Sequence, residues 1–112
     1  MDPTMSKIFV EHTADTTIVT LNDEKILEDE QIKEIEDSIM VVVEQARRLD
    51  MILDFCHVRF MSSSFLGLLV KIHKKMCERK GRLQLCNVDP NLYKIFEITQ
   101  LSKIFDISQK AN

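Results

Sequence analysis

In residues 51–55, MILDF, the apolar side chains Met51, Ile52 and Leu53 follow one another directly, with Phe55 beyond Asp54, between segments with a helical period. A strand turns successive side chains to opposite faces, so apolar residues at consecutive positions predict a central strand of a sheet covered on both faces. A strand of that kind needs helices around it. The chain is therefore expected to be an α/β domain built on this segment.

The flanking periods support that architecture. From Asp29 to about Leu49, the residues Ile32, Ile35, Ile39, Val42, Ala46 and Leu49 recur at steps of three and four, which predicts a helix with one buried stripe. Acids crowd its start and Arg47 and Arg48 its end, in keeping with the helix macrodipole. A second helix is expected from about Ser63 to Lys80. Its wide apolar face carries Phe65, Leu66, Leu69, Val70, Ile72, Met76 and Cys77, and Lys74, Lys75, Arg79 and Lys80 close it before Gly81.

Upstream, KIFVEHT (7–13) and TTIVTL (16–21) have the β-branched and aromatic enrichment of strands and read as a hairpin turned at Ala14 and Asp15. Downstream, RLQLCNV (82–88) reads as a strand stopped at Asp89 and Pro90, with Pro90 opening a short helix, NLYKIFEIT. KIFEI (94–98) returns almost unchanged as KIFDI (103–107). That spacing is far below any repeat architecture, so the echo is read as coincidence, and the second copy suits either a helix or a closing edge strand. The order is ββαβαβα plus a terminal element. It predicts one domain over residues 1–112: a mixed β-sheet of four to five strands packed against amphipathic helices, with residues 1–6 as a disordered lead.

Composition bounds the function. A chain of 112 residues, 45 % apolar and 29 % charged, is long enough to bury a core without metals or disulfides. No run approaches the roughly 20 apolar residues of a membrane span, and MDPTMSKIFVEH lacks the regions of a signal peptide, so a cytoplasmic protein without a membrane partner is expected. Three cysteines, Cys56, Cys77 and Cys86, are an odd number without metal spacing and are expected as buried, reduced thiols. A net charge of −3 argues against direct nucleic-acid binding through phosphate neutralisation. The charge is unevenly placed: residues 22–37 hold eight acids against Lys25 and Lys33, whereas residues 71–82 hold six bases against Glu78. Two solvated helix faces account for this, and a charged docking surface is the sharper alternative.

Catalytic chemistry is not expected. MSSSF (61–65) is not the G-x-S-x-G elbow of a hydrolase. Cys56 and His57 are adjacent, which on a strand sends them to opposite faces, and His12, His57 and His73 lack the spacing of zinc ligands. With Gly67 and Gly81 as the only glycines there is no phosphate-binding loop, so neither metal nor cofactor is expected. Asp54, beside the serines, suits a functional role or a turn equally.

The informative segment is FMSSSFLG (60–67), where three hydroxyls stand between a strand and a helix. One serine can cap the helix by accepting from a free N–H of its first turn. At least one hydroxyl is then left facing solvent, open to a modifying enzyme. The stretch LDFCHVRFMSSSFLGLLVKIHKKM (53–76) resembles the signature of the STAS domain family, which includes bacterial anti-sigma factor antagonists. There a strand ending L-D-[LF]-S-x-V leads into F-[MI]-D-S-[ST]-G-L-G at a helix start. Leu53, Asp54, Phe55 and Val58 match the strand end, Phe60 and Met61 the lead-in, and Ser63 the serine that is phosphorylated, with Ser64, Leu66 and Gly67 in register. Ser62 stands where the family usually has Asp, and Phe65 where it usually has Gly. KGRLQLCNVDPNLYKIFEITQLSKIFDI (80–107) also looks like the family's later strand, short helix and closing segment.

The resemblance implies a non-enzymatic regulator that captures an anti-sigma factor, itself an ATP-binding serine kinase, and so frees a sigma factor. Phosphorylation of Ser63 by that kinase switches it off and a serine phosphatase resets it. The implied contact surface comprises Asp54, Met61, Ser62, Ser63, Ser64 and Phe65, with Lys71, Lys74 and Lys75 adding attraction for an acidic partner. Two alternatives stand beside it: a scaffold of the same fold that does not switch, and a small-ligand or nucleotide sensor.

Overall fold

The structure, a computed structural model, describes residues 7–45 and 50–110. Strands β1 (Ile8–His12) and β2 (Thr17–Leu21) form the antiparallel hairpin. At its turn the Thr13 hydroxyl donates to the Thr16 carbonyl at 3.0 Å and accepts from the Thr16 N–H at 3.1 Å. After a two-residue β3 (Lys25–Ile26) come α1 (Asp29–Gln45), β4 (Asp50–Asp54), a two-residue β5 (Phe60–Met61), α2 (Ser63–Glu78), β6 (Arg82–Val88), α3 (Pro90–Ile98), a 3-10 turn (Leu101–Lys103) and β7 (Asp106–Gln109). The main sheet has the order β1-β2-β4-β6-β7, parallel from β2 onward, and β3 pairs with β5 in a separate parallel ribbon.

β4 is the middle strand, as its composition predicts, but it is covered on one face only. Met51 and Leu53 are buried whereas Ile52 and Asp54 are half-buried and Asp50 is exposed. The reason is topological. Strand order advances in a single direction from β2 to β7, and right-handed crossovers taken repeatedly in one direction lay every helix on the same side. The covered face carries Val19, Leu21, Met51, Leu53, Leu83 and Leu85. On the open face Ile52 keeps partial cover from its register neighbours Ile18 and Gln84.

The buried stripe of α1 is Ile32, Ile35, Ile39 and Val43, with Val42 only half-buried, so the period runs nearer 3.6 than the sequence spacing suggests. The expected continuation through Ala46 and Leu49, and the basic pair Arg47 and Arg48, lie outside the described residues, as do residues 1–6. On α2 the buried side chains are Phe65, Leu68, Leu69, Ile72 and Met76, and Cys77 is exposed rather than buried. This helix ends at Glu78, two residues short of the expected Lys80. Lys80 takes the left-handed conformation (φ 61°) and donates to Cys77 O at 3.0 Å, while the Gly81 N–H donates to Met76 O at 2.8 Å.

The two KIF segments part company. Lys94–Ile98 is helical in α3, which Asp89 caps by accepting from the Asn91 N–H at 2.8 Å. Gln100, at φ 64°, then breaks the helix, and residues 103–107 pass from the 3-10 turn into β7 as a closing edge strand. Both phenylalanines nonetheless meet in the core: Phe96 and Phe105 pack edge to face at 6.1 Å, Phe55 meets Phe96 at 6.5 Å, and Phe65 meets Phe55 at 6.3 Å.

The β3–β5 ribbon has no sequence-level signal of its own and depends on Gln31. Its Oε1 accepts from the N–H groups of Leu27 (3.0 Å) and Glu28 (3.3 Å), and its Nε2 donates to Asp23 Oδ2 (2.8 Å) and to the Lys25 carbonyl (2.6 Å). A glutamine reaching back from the first turn to the residues that open the helix is half of a capping box, here extended to staple the whole 23–28 loop. Gln31→Ala is expected to lower stability by about 1–3 kcal/mol. Urea denaturation measures the loss, and hydrogen exchange should show faster opening at residues 24–28 and 59–62 than elsewhere.

Candidate functional site

The ribbon delivers the three serines. The N–H groups of Arg59 and Phe60 donate to the Glu24 carbonyl (2.8 and 3.1 Å), and the Ser62 N–H donates to the Ile26 carbonyl at 3.0 Å. Ser62 is thereby fixed in an extended conformation (φ −90°, ψ 167°) as the cap of α2, its hydroxyl accepting from the Phe65 N–H at 3.4 Å. The serine that replaces the usual aspartate therefore performs the capping task. Ser63 and Ser64 are the first two helical residues and both are exposed. Among the described residues their hydroxyls form no hydrogen bond and their N–H groups meet no acceptor. The first turn also contains no acid. A negative group added here meets a positive helix end and two free donors.

Phe65 does not join this surface. It is 0 % exposed and points into the aromatic cluster, because the fourth residue after β5 falls on the face of α2 turned toward the sheet. The ring that stands where the family usually has glycine is thus a core side chain and leaves the approach to Ser63 clear. Asp54 forms no hydrogen bond to the serines among the described residues. Its side chain lies on the open face of the sheet, where Oδ1 accepts from the Cys56 N–H (2.9 Å) and from Asn87 Nδ2 (3.0 Å). Asn87 sits at φ 54° in the irregular part of β6, a conformation asparagine tolerates. These bonds give Asp54 a part in the turn that follows β4.

Lys71, Lys74 and Lys75 are exposed along α2. Lys71 is already paired with Glu36 of α1, tying the two helices together. Lys74 and Lys75 form no ion pair among the described residues. Met61 lines a groove of about 340 Å³ between the β3–β5 ribbon and the start of α3, together with Leu27, Arg59, Phe60, Asp89, Asn91, Leu92 and Ile95. Phe60 is 52 % exposed there, with the Lys25 ammonium 5.6 Å from its ring centre. Neither the groove nor its shaping by β3 is legible in the sequence, since residues more than 60 positions apart line it.

The remaining titratable groups argue for structure rather than chemistry. Burial, then the Asp54 carboxylate, pushes the Cys86 thiol up to about 11, and the same two causes raise Cys56. Thiols held in the protonated form are poor nucleophiles. Among the described residues no cluster of His, Cys, Asp and Glu could hold a metal ion, and no helix is long and apolar enough to cross a membrane.

Comparison with known proteins agrees with this geometry. An anti-sigma-B factor antagonist of Bacillus subtilis is 39 % identical over 54 residues, 48 % of this chain and 50 % of that one, so the chain spans about half the length of such curated relatives. A solved STAS domain protein from Planctomyces limnophilus, described as an anti-sigma-factor antagonist, superposes with a TM-score of 0.83 at 22 % identity, covering 93 % of this chain and 91 % of the other. The Bacillus cell fate determinant SpoIIAA in its phosphorylated form superposes at 0.69 with 21 % identity, covering 92 % of each. At such identities these structures establish the fold alone. The STAS domain profile matches residues 7–112, and this chain belongs to the STAS domain family.

Proposed function

We propose that this protein is an anti-sigma factor antagonist: a binding module, not an enzyme, that captures an anti-sigma factor and is released when Ser63 is phosphorylated. The observation that carries this reading is the state of Ser63. Its hydroxyl is exposed and unengaged at the first position of a long helix, while its neighbour Ser62 takes the capping role. The names of the curated relatives supply the partner class, and one structural neighbour exists in a phosphorylated form.

Phosphorylation adds about −1.5 to −2 charge. The helix end and the free N–H groups of Ser63 and Ser64 favour that charge by roughly 0.3–2 kcal/mol, so the fold persists in both states. What changes is the surface formed by Met61, Ser62, Ser63 and Ser64, with Lys74 and Lys75 beyond it. In this scheme the anti-sigma factor is an ATP-binding serine kinase, a serine phosphatase restores the hydroxyl, and the protein acts in the cytoplasm on transcription without touching nucleic acid.

Incubating the protein with such a kinase and ATP, followed by intact-mass measurement, should show a single added phosphate that is absent from Ser63→Ala. An unmodified wild-type mass would favour the non-switching scaffold, a reading to which Ser62, standing at the cap of α2 where the family usually has Asp, lends support.

A further inference from the structure

Of the three thiols Cys77 alone is exposed, and its Sγ lies 3.6 Å from Nε2 of His73, one turn earlier on α2. A histidine kept for packing normally gives its buried nitrogen a hydrogen bond. His73 does not: it is half-buried, and its Nδ1 is fully buried with no partner. The ring is held instead by Phe105, against which it packs edge to face at 5.4 Å and 75°. Among the described residues its one polar contact is therefore the sulfur. A nucleophile within hydrogen-bond reach of a base whose ring is itself held in place is the arrangement that activates a side chain. Cys56 and Cys86 are the contrast, since both are half-buried and burial, then the Asp54 carboxylate, keeps them protonated. The surroundings of Cys77 are basic. Lys74, one turn before it, and Lys80, just past the helix end, form no ion pair among the described residues, and Glu78 is the only acid between residues 71 and 82.

We propose that Cys77 is a thiol-modification site that takes a carboxylate-bearing low-molecular-weight disulfide, with His73 receiving the thiol proton. With the hydrogen of the neutral ring on Nδ1, Nε2 presents its lone pair to the thiol. As Sγ attacks one sulfur of the disulfide, the thiol proton passes to Nε2. A new S–S bond then joins Cys77 to that half, the old S–S bond breaks, and the other half leaves as a thiolate that regains the proton as a free thiol. The incoming disulfide is reduced by as much as Cys77 is oxidised, so no further oxidant enters the exchange. Exposure of Cys77 leaves room for the adduct, and the unpaired ammonium groups of Lys74 and Lys80 favour carboxylates on the molecule that brings it. The site stands roughly 20 Å along α2 from Ser63, at 1.5 Å per residue. It does not depend on the switch proposed there.

Timed incubation with glutathione disulfide, read by intact mass, tests this on the protein alone. The folded wild type should gain one glutathionyl group, removable by dithiothreitol. It should gain that group faster than the same chain unfolded in urea, where the thiols are accessible but His73 is no longer beside Cys77. Cys77→Ser should gain none. His73→Gln, with unchanged circular dichroism, should slow the exchange by about tenfold to a hundredfold, at or below the usual contribution of a positioned base. If that variant does not fold, the comparison with urea decides the matter. The rate with glutathione disulfide relative to that with cystamine, a cationic disulfide, should fall severalfold in Lys74→Glu. An unmodified wild type, an adduct that persists in Cys77→Ser, exchange no faster than in urea, a folded His73→Gln protein with the wild-type rate, or a ratio that Lys74→Glu leaves unchanged would each overturn the proposal.

Discussion

Ser63→Asp is expected to weaken capture of the proposed anti-sigma partner by about a hundredfold to a thousandfold while leaving the melting temperature unchanged or slightly raised. The two effects separate because they draw on different physics. Within the monomer the new carboxylate faces the N-terminus of α2 and the free N–H groups of Ser63 and Ser64, a setting that stabilises an anion. Inside an interface the same anion is desolvated without a partner, which costs on the order of several kcal/mol, and each 1.4 kcal/mol is about tenfold in affinity. Ser63→Asn, nearly the same shape without the charge, should retain capture. Equal loss in both variants, measured by titration calorimetry, would show that size rather than charge governs the site. Full capture by Ser63→Asp would remove the switch altogether.

Phe65→Ala should destabilise the domain by about 3–5 kcal/mol, the range for removing a fully buried aromatic ring, against a total of about 5–15 kcal/mol for a domain of this kind. Phe65 is wholly buried and is the contribution of α2 to a chain of rings running through Phe55 and Phe96 to Phe105. Its loss leaves a cavity at the joint between α2, the end of β4 and α3. Glycine at this position, the usual family residue, should be worse still, adding a helix penalty of about 1 kcal/mol. Phe65→Leu, which refills most of the volume, should recover much of the loss. Urea midpoints for the three variants decide the matter; a Phe65→Ala midpoint near that of the wild type would place the ring outside the core.

The cavity argument also bears on the site. Because Phe65 is the residue whose N–H the Ser62 hydroxyl accepts from, the core and the cap meet at one residue. Packing of the ring therefore fixes where α2 begins, and with it the direction in which Ser63 faces. A residue that the resemblance assigns to the contact surface is instead a buried support for the surface the partner would meet.

Local patterns in the sequence determined the main elements: the hairpin turned at Ala14 and Asp15, the amphipathic helices, the strand over residues 82–88 matched at both ends, and the serines at the start of α2. These rest on short-range rules, namely period, caps and turn residues, which act between neighbours in the chain. Tertiary structure alone decided which faces are covered. MILDF could not reveal that its sheet has helices on one side only, because that follows from the order of strands and the hand of crossovers. KIFEI and KIFDI show the same limit at small scale: of two nearly identical pentapeptides one is helical and the other passes from a 3-10 turn into an edge strand, since one follows a proline turn and the end of the other finds β6 to pair with. The β3–β5 ribbon, the Gln31 staple and the groove beside Met61 depend on groups brought together from distant positions, and no local pattern announces a contact whose energy exists only after the chain has closed.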